Sequence, residues 1–194
     1  PQPGKEDAYH PRISAQFNYS YKALDENSKF AFNRLYDHFF YKRHNEFWYH
    51  QAMKKLPPLI SATNMLCCAE DLGMIPDCVP PLMKELAMLS LEVQRMPKDK
   101  YRDFGDPASY PFLCVCTTGS HDTSTLRGWW EEDRNITNRF FNTVLGMPGE
   151  APVYCEPWIC MQVIRDHLRC PAMLCILPWQ DWMSVSGKLR RENP

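Results

Sequence analysis

Glu70 and Asp122 are the two carboxylates of this chain whose sequence surroundings most favour chemistry. Each follows a short apolar run and lies in a polar turn: Glu70 follows residues 65–69, and Asp122 comes soon after residues 110–116. A carboxylate at the end of a buried strand is destabilising unless it has partners or a chemical task. Two such groups from two such strands indicate acid–base chemistry at the mouth of a parallel sheet or barrel.

Two further polar residues adjoin these carboxylates. Asp71 follows Glu70, and His121 precedes Asp122. Taken without other information, Glu70 could be an ordinary turn or cap carboxylate, and His121-Asp122 could be an Asx turn that caps the next helix. We expect Asp71 to fix its turn through hydrogen bonds to the backbone more than to do chemistry.

The elements that must position these groups follow from the apolar pattern. Continuous apolar runs of strand length alternate with helical segments of ten or more residues, which is typical of buried parallel strands in βαβ units. The predicted strands are 64–69, 91–95, 110–117 and 173–177. The first predicted helix begins at about 25–28 and ends at Pro57-Pro58, with a break near His44-Asn45. A second ends near residue 89, and further helices are predicted at 123–130, at 134–145 and from Pro157 onwards.

Helical spacing also predicts which side chains are buried. The helix that begins at Pro157 is expected to bury Trp158, Met161, Ile164 and Leu168. Of the adjacent pair Trp129 and Trp130, at least one is expected in the core.

Composition excludes several classes of function. The chain has 194 residues and a formal net charge of -1, which gives no electrostatic case for binding nucleic acid or an anionic membrane. Its apolar runs are too short to span a bilayer. The nine cysteines are odd in number and lie among apolar residues, which favours reduced thiols in a cytoplasmic protein. No cofactor is indicated, and no metal site is expected.

The strand count bears on the fold class. A (β/α)8 barrel normally needs about 250 residues, and we count three or four strands in this α/β chain. We therefore expect the C-terminal part of a TIM barrel, with residues 1–55 as an irregular and helical insertion and 56–194 as later barrel strands and helices. The ending at Glu192-Asn193-Pro194 also leads us to expect a fragment of a larger protein.

An ordered set of motifs resembles the 4-alpha-glucanotransferases of glycoside hydrolase family 77. The set comprises residues 69–73, 120–123 and 127–130. The likeness extends over most of the chain, and it is nearest to the cytosolic, maltose-using disproportionating type at residues 47–49, 57–73, 94–97 and 129–133.

The resemblance implies retaining transfer of glycosyl units between α-1,4-glucans, maltose and malto-oligosaccharides, without a cofactor. It identifies Glu70 as the acid/base and Asp122 as the third carboxylate of the clan, which stabilises an oxocarbenium-like transition state. It makes His121 a hydrogen-bond donor to the bound glucose. Asp71 and Trp179 are further candidates for binding the sugar, Trp179 because an aromatic face packs against the apolar face of glucose.

One part of the family pattern is missing. The nucleophile of the family is an Asp in an Arg-x-Asp-His motif, and the chain contains no such motif. We therefore expect the isolated chain to be inactive. A non-catalytic glucan-binding module, a retaining α-glucan hydrolase of the same clan and a thiol-dependent enzyme remain the alternatives.

Overall fold

The computed structural model describes residues 4, 6, 7, 9–73 and 75–189. The chain forms two units: unit 1 comprises residues 1–63 and 76–82, and unit 2 comprises residues 64–75 and 83–194. Residues 192–194, which were one reason to expect a fragment, lie outside the described residues. The assignment of 56–194 to later barrel elements stays a prediction.

Unit 1 is helical. Its second helix begins where the sequence predicts, because Asp25 caps it: Oδ1 of Asp25 accepts a hydrogen bond from the Ser28 N–H at 3.0 Å. A π-helical turn, His38–Arg43, stands just before the predicted break near His44. The helices are α1 (Tyr19–Lys22), α2 (Glu26–Asp37) and α3 (His44–Ser61), and α4 (Val79–Glu85) begins in this unit.

Aromatic side chains of α2 and the π-helical turn make up much of the buried part of unit 1. Tyr36 is buried, its ring centroid lies 4.7 Å from that of Phe40, and its hydroxyl donates to the Ile13 carbonyl at 2.6 Å. Phe39 packs edge-on against Phe40 at 4.9 Å between centroids. These rings come from the apolar stripe of α2 and the π-helical turn.

The predicted end of the first long helix at Pro57-Pro58 is wrong, because α3 continues through both prolines to Ser61. Each proline removes one N–H donor from the helix. The carbonyls of Pro58 and Leu59 nevertheless accept from the Ala62 N–H, so the final turn closes after the prolines.

Unit 2 is built on a parallel sheet in the order β1–β2–β3, where β1 is Ser90–Val93, β2 is Cys114–Thr117 and β3 is Leu174–Cys175. A parallel bridge between Cys68 and Leu89 adds the preceding segment along the other edge of β1. All four residues of β2 are buried, as expected of a central parallel strand. The predicted mixed α/β class with a parallel sheet is therefore confirmed.

The strands are shorter than predicted. The strand expected at 64–69 is reduced to the Cys68 bridge, and Met65 and Leu66 within it are exposed. β2 starts at Cys114 rather than at 110, since Pro111 has no N–H for a ladder. The helix expected to reach 89 ends at Glu85, and Leu89 is instead in extended chain before β1.

The helices of unit 2 pack around an apolar cluster, and a second, smaller cluster includes the cysteines of β2. Thr125 caps α5 by accepting from the Gly128 N–H at 3.0 Å, and Trp130 is fully buried against Phe140 of α6, as predicted for one of the two tryptophans. The helices are α5 (Leu126–Glu132), α6 (Arg134–Thr143), α7 (Pro157–Arg169) and α8 (Trp179–Met183).

The predicted inner face of α7 is wrong by about one residue of rotation, roughly 100°. Trp158, Met161 and Leu168 are exposed, and only Ile164 of the expected set is buried. The buried residues are Ile159, Cys160, Val163, Ile164 and His167. Nδ1 of the buried His167 pairs with the Val163 carbonyl one turn earlier, at 2.8 Å, whereas its Nε2 is buried without a hydrogen-bond partner among the described residues.

Candidate active site

The carboxyl ends of the parallel strands meet at one edge of the unit 2 sheet, and predicted site residues follow these ends. Glu70 comes two residues after the Cys68 bridge, Asp122 follows β2, and Trp179 begins α8 after β3. Since β1 lies between the Cys68 segment and β2, the segments bearing the two carboxylates are two strand spacings apart, about 10 Å. In the part of the chain that the structure describes, Glu70 and Asp122 share no hydrogen bond.

Glu70 is exposed in its turn. The Leu72 N–H donates to Oε1 of Glu70 at 3.3 Å. Gly73 follows with φ of 76°, in the left-handed region that glycine adopts without strain. One bond to its own turn thus orients the Glu70 carboxylate and leaves it accessible to a ligand.

Asp71 has a different environment from its neighbour. Its side chain is 4% exposed, and Oδ1 accepts from the Leu91 N–H of β1 at 2.8 Å. Oδ2 pairs with the Lys98 ammonium at 2.7 Å. The expected hydrogen bond to the backbone is present, although it reaches across to β1 rather than closing its own turn. A contact between Asp71 and sugar stays a prediction.

His121 and Asp122 form a surface pair. Nε2 of His121 lies 3.2 Å from Oδ2 of Asp122, and the two side chains are 89% and 80% exposed. The Asp122 N–H donates to the Ser120 hydroxyl at 3.3 Å, and the Ser120 N–H donates to the Thr123 hydroxyl at 2.9 Å. The loop therefore has its own internal bonds and projects both site residues into solvent.

Arg95, two residues after the end of β1, contacts this loop from the protein interior. Its guanidinium donates to the Thr125 carbonyl at 3.3 Å, to the Thr123 hydroxyl at 3.2 Å and to the Ser124 carbonyl. Burial lowers the pKa of Arg95, and the negative charges of Asp181 and Glu132 oppose that shift. Arg95 was not predicted as a site residue, although an arginine at the carboxyl end of a strand is a signal that could have found it.

Asp181 is the second residue that the sequence reasoning missed. It is fully buried, accepts from the Thr118 hydroxyl at 2.5 Å and accepts from the Leu126 N–H at 2.8 Å. Both partners flank the loop that carries Asp122. The sequence did offer one signal for Asp181: it is a carboxylate that closely follows a predicted strand, three residues after Pro178.

Trp179 is 72% exposed at the first position of α8. Within the described ranges, no group of three His, Cys, Asp or Glu side chains is arranged to hold a metal ion. None of the helices in those ranges combines the length and apolar character needed to cross a bilayer.

Comparison with known proteins adds to this geometry. The sequence model described as 4-alpha-glucanotransferase, glycoside hydrolase family 77, matches residues 16–194. The chain is 40% identical over 180 residues to 4-alpha-glucanotransferase DPE2 of Oryza sativa subsp. japonica, a match that covers 93% of this chain and 19% of the rice protein. It is 28% identical over 162 residues to the 4-alpha-glucanotransferase of Chlamydia muridarum (strain MoPn / Nigg), covering 74% of this chain and 30% of that protein.

The chain thus spans less than a third of the length of these two relatives. Among solved structures, it resembles the amylomaltase from Streptococcus agalactiae in complex with acarbose, with 18% identity and a TM-score of 0.48 over 66% of this chain and 25% of that one. A likeness at that level is too weak to assign the fold.

Proposed function

Because the chain belongs to glycoside hydrolase family 77, the 4-alpha-glucanotransferases, we propose that it supplies two of the carboxylates with which a full-length enzyme transfers α-1,4-glucan units. Maltose, malto-oligosaccharides and longer glucans would be the donors and acceptors. The observation that carries this proposal is the placement of Glu70 and the His121–Asp122 pair, all exposed, behind parallel strands that end at one sheet edge.

Glu70 is the proposed general acid and base of a retaining double displacement. It would protonate the glycosidic oxygen as that bond breaks, and it would later take the proton from the attacking hydroxyl of the acceptor sugar. The Glu70 carboxylate is accessible and is oriented by the Leu72 N–H, as a group needs to be that contacts first the glycosidic oxygen and then the acceptor hydroxyl.

Asp122 is proposed to stabilise the positive charge that develops on the sugar ring, and His121 to donate a hydrogen bond to a sugar hydroxyl. The 3.2 Å contact between His121 and Asp122 supports a joint role, because each side chain orients the other. Trp179 is proposed as a stacking surface for a glucose ring on the basis of its exposure behind β3.

The nucleophile is proposed to lie outside these 194 residues, since they contain no Arg-x-Asp-His motif. If the nucleophile lies on an earlier strand outside these residues, the parallel strands of unit 2 would be later strands of a (β/α)8 barrel. All nine cysteines are free thiols, which fits a reducing compartment, and we place the protein in the cytoplasm.

The test is an assay of the full-length protein with maltose as donor and glycogen or malto-oligosaccharides as acceptor, reading glucose release and the ladder of longer products. The Glu70→Gln and Asp122→Asn variants should each lower the transfer rate by about 10²–10⁴. The Glu150→Gln variant, which alters an exposed carboxylate in the loop between α6 and α7, should match the wild type.

The outcomes separate the alternatives. New reducing ends without longer products would indicate a hydrolase, which admits water to the intermediate. Binding of maltosaccharides without turnover by the full-length protein would indicate a glucan-binding module. Appreciable glucose release by residues 1–194 alone would contradict the proposed location of the nucleophile.

A further inference from the structure

We propose that Asp181 is a positioning residue for Asp122, because its carboxylate joins the two ends of the loop on which Asp122 lies. This inference rests on the proposed function of Asp122. Asp181 itself is fully buried, so it cannot touch a glucan, and its effect must pass through the loop.

The contacts of Asp181 form a clamp on residues 118–126. Oδ2 accepts from the hydroxyl of Thr118, which follows β2, and Oδ1 accepts from the N–H of Leu126, which begins α5. Thr118 and Leu126 are themselves buried, at 2% and 3% exposure. One carboxylate therefore fixes both points at which the exposed loop leaves the protein interior.

The clamp is a tertiary contact rather than a local one. Asp181 is 63 residues from Thr118 and 55 residues from Leu126 in sequence. Between the clamped ends, Ser120 and Thr123 are bonded mainly to each other, and Arg95 provides the other contact with the interior. Loss of the clamp would leave the Asp122 loop held by Arg95, by the Thr117 hydroxyl at Gly119 and by the surface bond from the Ser124 hydroxyl to Glu132.

The consequence for catalysis follows from the precision that transition-state stabilisation requires. A misplacement of about 1 Å can lower a rate by about 100-fold. A loosened loop would retain an intact Asp122 carboxylate but hold it less often at the productive position. The expected defect therefore lies in kcat more than in KM.

Three variants of the full-length protein separate hydrogen bonding from charge. Asp181→Ala removes both acceptors. Asp181→Asn keeps both contacts, because its amide oxygen accepts from Leu126 and its NH2 donates to the Thr118 hydroxyl, which can also act as an acceptor. Thr118→Val removes one contact only. The matched control is Asp166→Ala on α7, where the lost contact is a 2.9 Å bond from Gln162.

Two measurements are made on each variant: hydrogen exchange of residues 119–125 compared with helix α6, and kcat and KM for transfer from maltose. In Asp181→Ala, exchange in the loop should accelerate and kcat should fall by about tenfold or more, while α6 and KM change little. Asp181→Asn and Asp166→Ala should resemble the wild type, and Thr118→Val should be intermediate.

The proposal is overturned if Asp181→Ala leaves loop exchange and kcat unchanged, or if α6 loosens as much as the loop. Should Asp181→Ala fail to fold, Thr118→Val decides alone by the same two measurements. If the wild type transfers no glucose, the proposed function fails, and loop exchange by itself still shows whether Asp181 holds the loop.

Discussion

The ammonium group of Lys98 lies 2.7 Å from Oδ2 of Asp71 and 2.9 Å from Oε1 of Glu92, so a lysine beyond β1 binds the buried carboxylate next to Glu70. The Asp71 side chain is almost completely buried, whereas that of Lys98 is 28% exposed. This ion pair, together with the bond from the Leu91 N–H to Asp71, anchors the turn that presents Glu70.

Replacing Lys98 by Met should destabilise unit 2 by about 1–3 kcal/mol, because one oxygen of a buried carboxylate loses its partner. Urea unfolding followed by circular dichroism measures the change. Lys100→Met, two residues away on an exposed position, is the control and should stay within about 0.5 kcal/mol of the wild type. Equal stability of the two variants would show that the pair does not anchor the turn.

Gly119→Ala should disturb the Asp122 loop, since a Cβ at Gly119 would collide with the Arg95 guanidinium and lie 3.0 Å from the Thr123 hydroxyl. Displacing the guanidinium breaks its bonds to the loop, and we expect a loss of about 1–3 kcal/mol in stability. In the control Gly187→Ala, the nearest atom is Cγ of Pro157 at 3.7 Å, an ordinary contact. Thermal unfolding of both variants measures the difference, and a Gly119→Ala protein as stable as the control would refute the clash.

Acid should destabilise the protein through His167. Burial lowers the pKa of His167 below the ordinary value of 6.5 and outweighs the bond from Nδ1 to the Val163 carbonyl, which favours the protonated ring. The folded protein therefore holds this ring neutral. The unfolded chain takes up a proton at a higher pH than the folded chain does. The stability from this group is therefore complete above pH 6.5 and is lost as the pH falls towards the folded pKa.

The measurement is urea unfolding between pH 7.5 and 5 for the wild type, His167→Gln and His121→Gln. The pH dependence should be weaker in His167→Gln than in the wild type. His121→Gln, which alters an exposed ring, should retain the wild-type dependence. Identical slopes for all three proteins would contradict this assignment.

Trp179→Ala should weaken binding of malto-oligosaccharides by about 1–3 kcal/mol, if its exposed ring stacks on glucose as proposed. Titration calorimetry with maltotetraose measures the affinity. The control is Trp158→Ala on α7, an exposed tryptophan that should leave the affinity unchanged. Equal affinities for Trp179→Ala and wild type would remove Trp179 from the site.

Much of the local structure was readable in the sequence. The helix start near Asp25 and the parallel strands were predicted because each follows from residues close together in the chain. The inner face of α7 was not, since apolar spacing favoured Trp158, whereas the packing of unit 2 buries Cys160 and His167 instead. Strand lengths were overestimated because a strand extends only as far as a neighbouring strand forms backbone hydrogen bonds with it.

By itself, the sequence determined which carboxylates follow the strands, and parallel pairing then placed Glu70 and Asp122 at one sheet edge. Only the tertiary structure decided that Asp71 is buried against Lys98 and that Asp181 clamps the ends of the Asp122 loop. The physical reason is that a strand and the turn after it arise from neighbouring residues, whereas a buried charge needs partners that only the folded chain brings within hydrogen-bond distance.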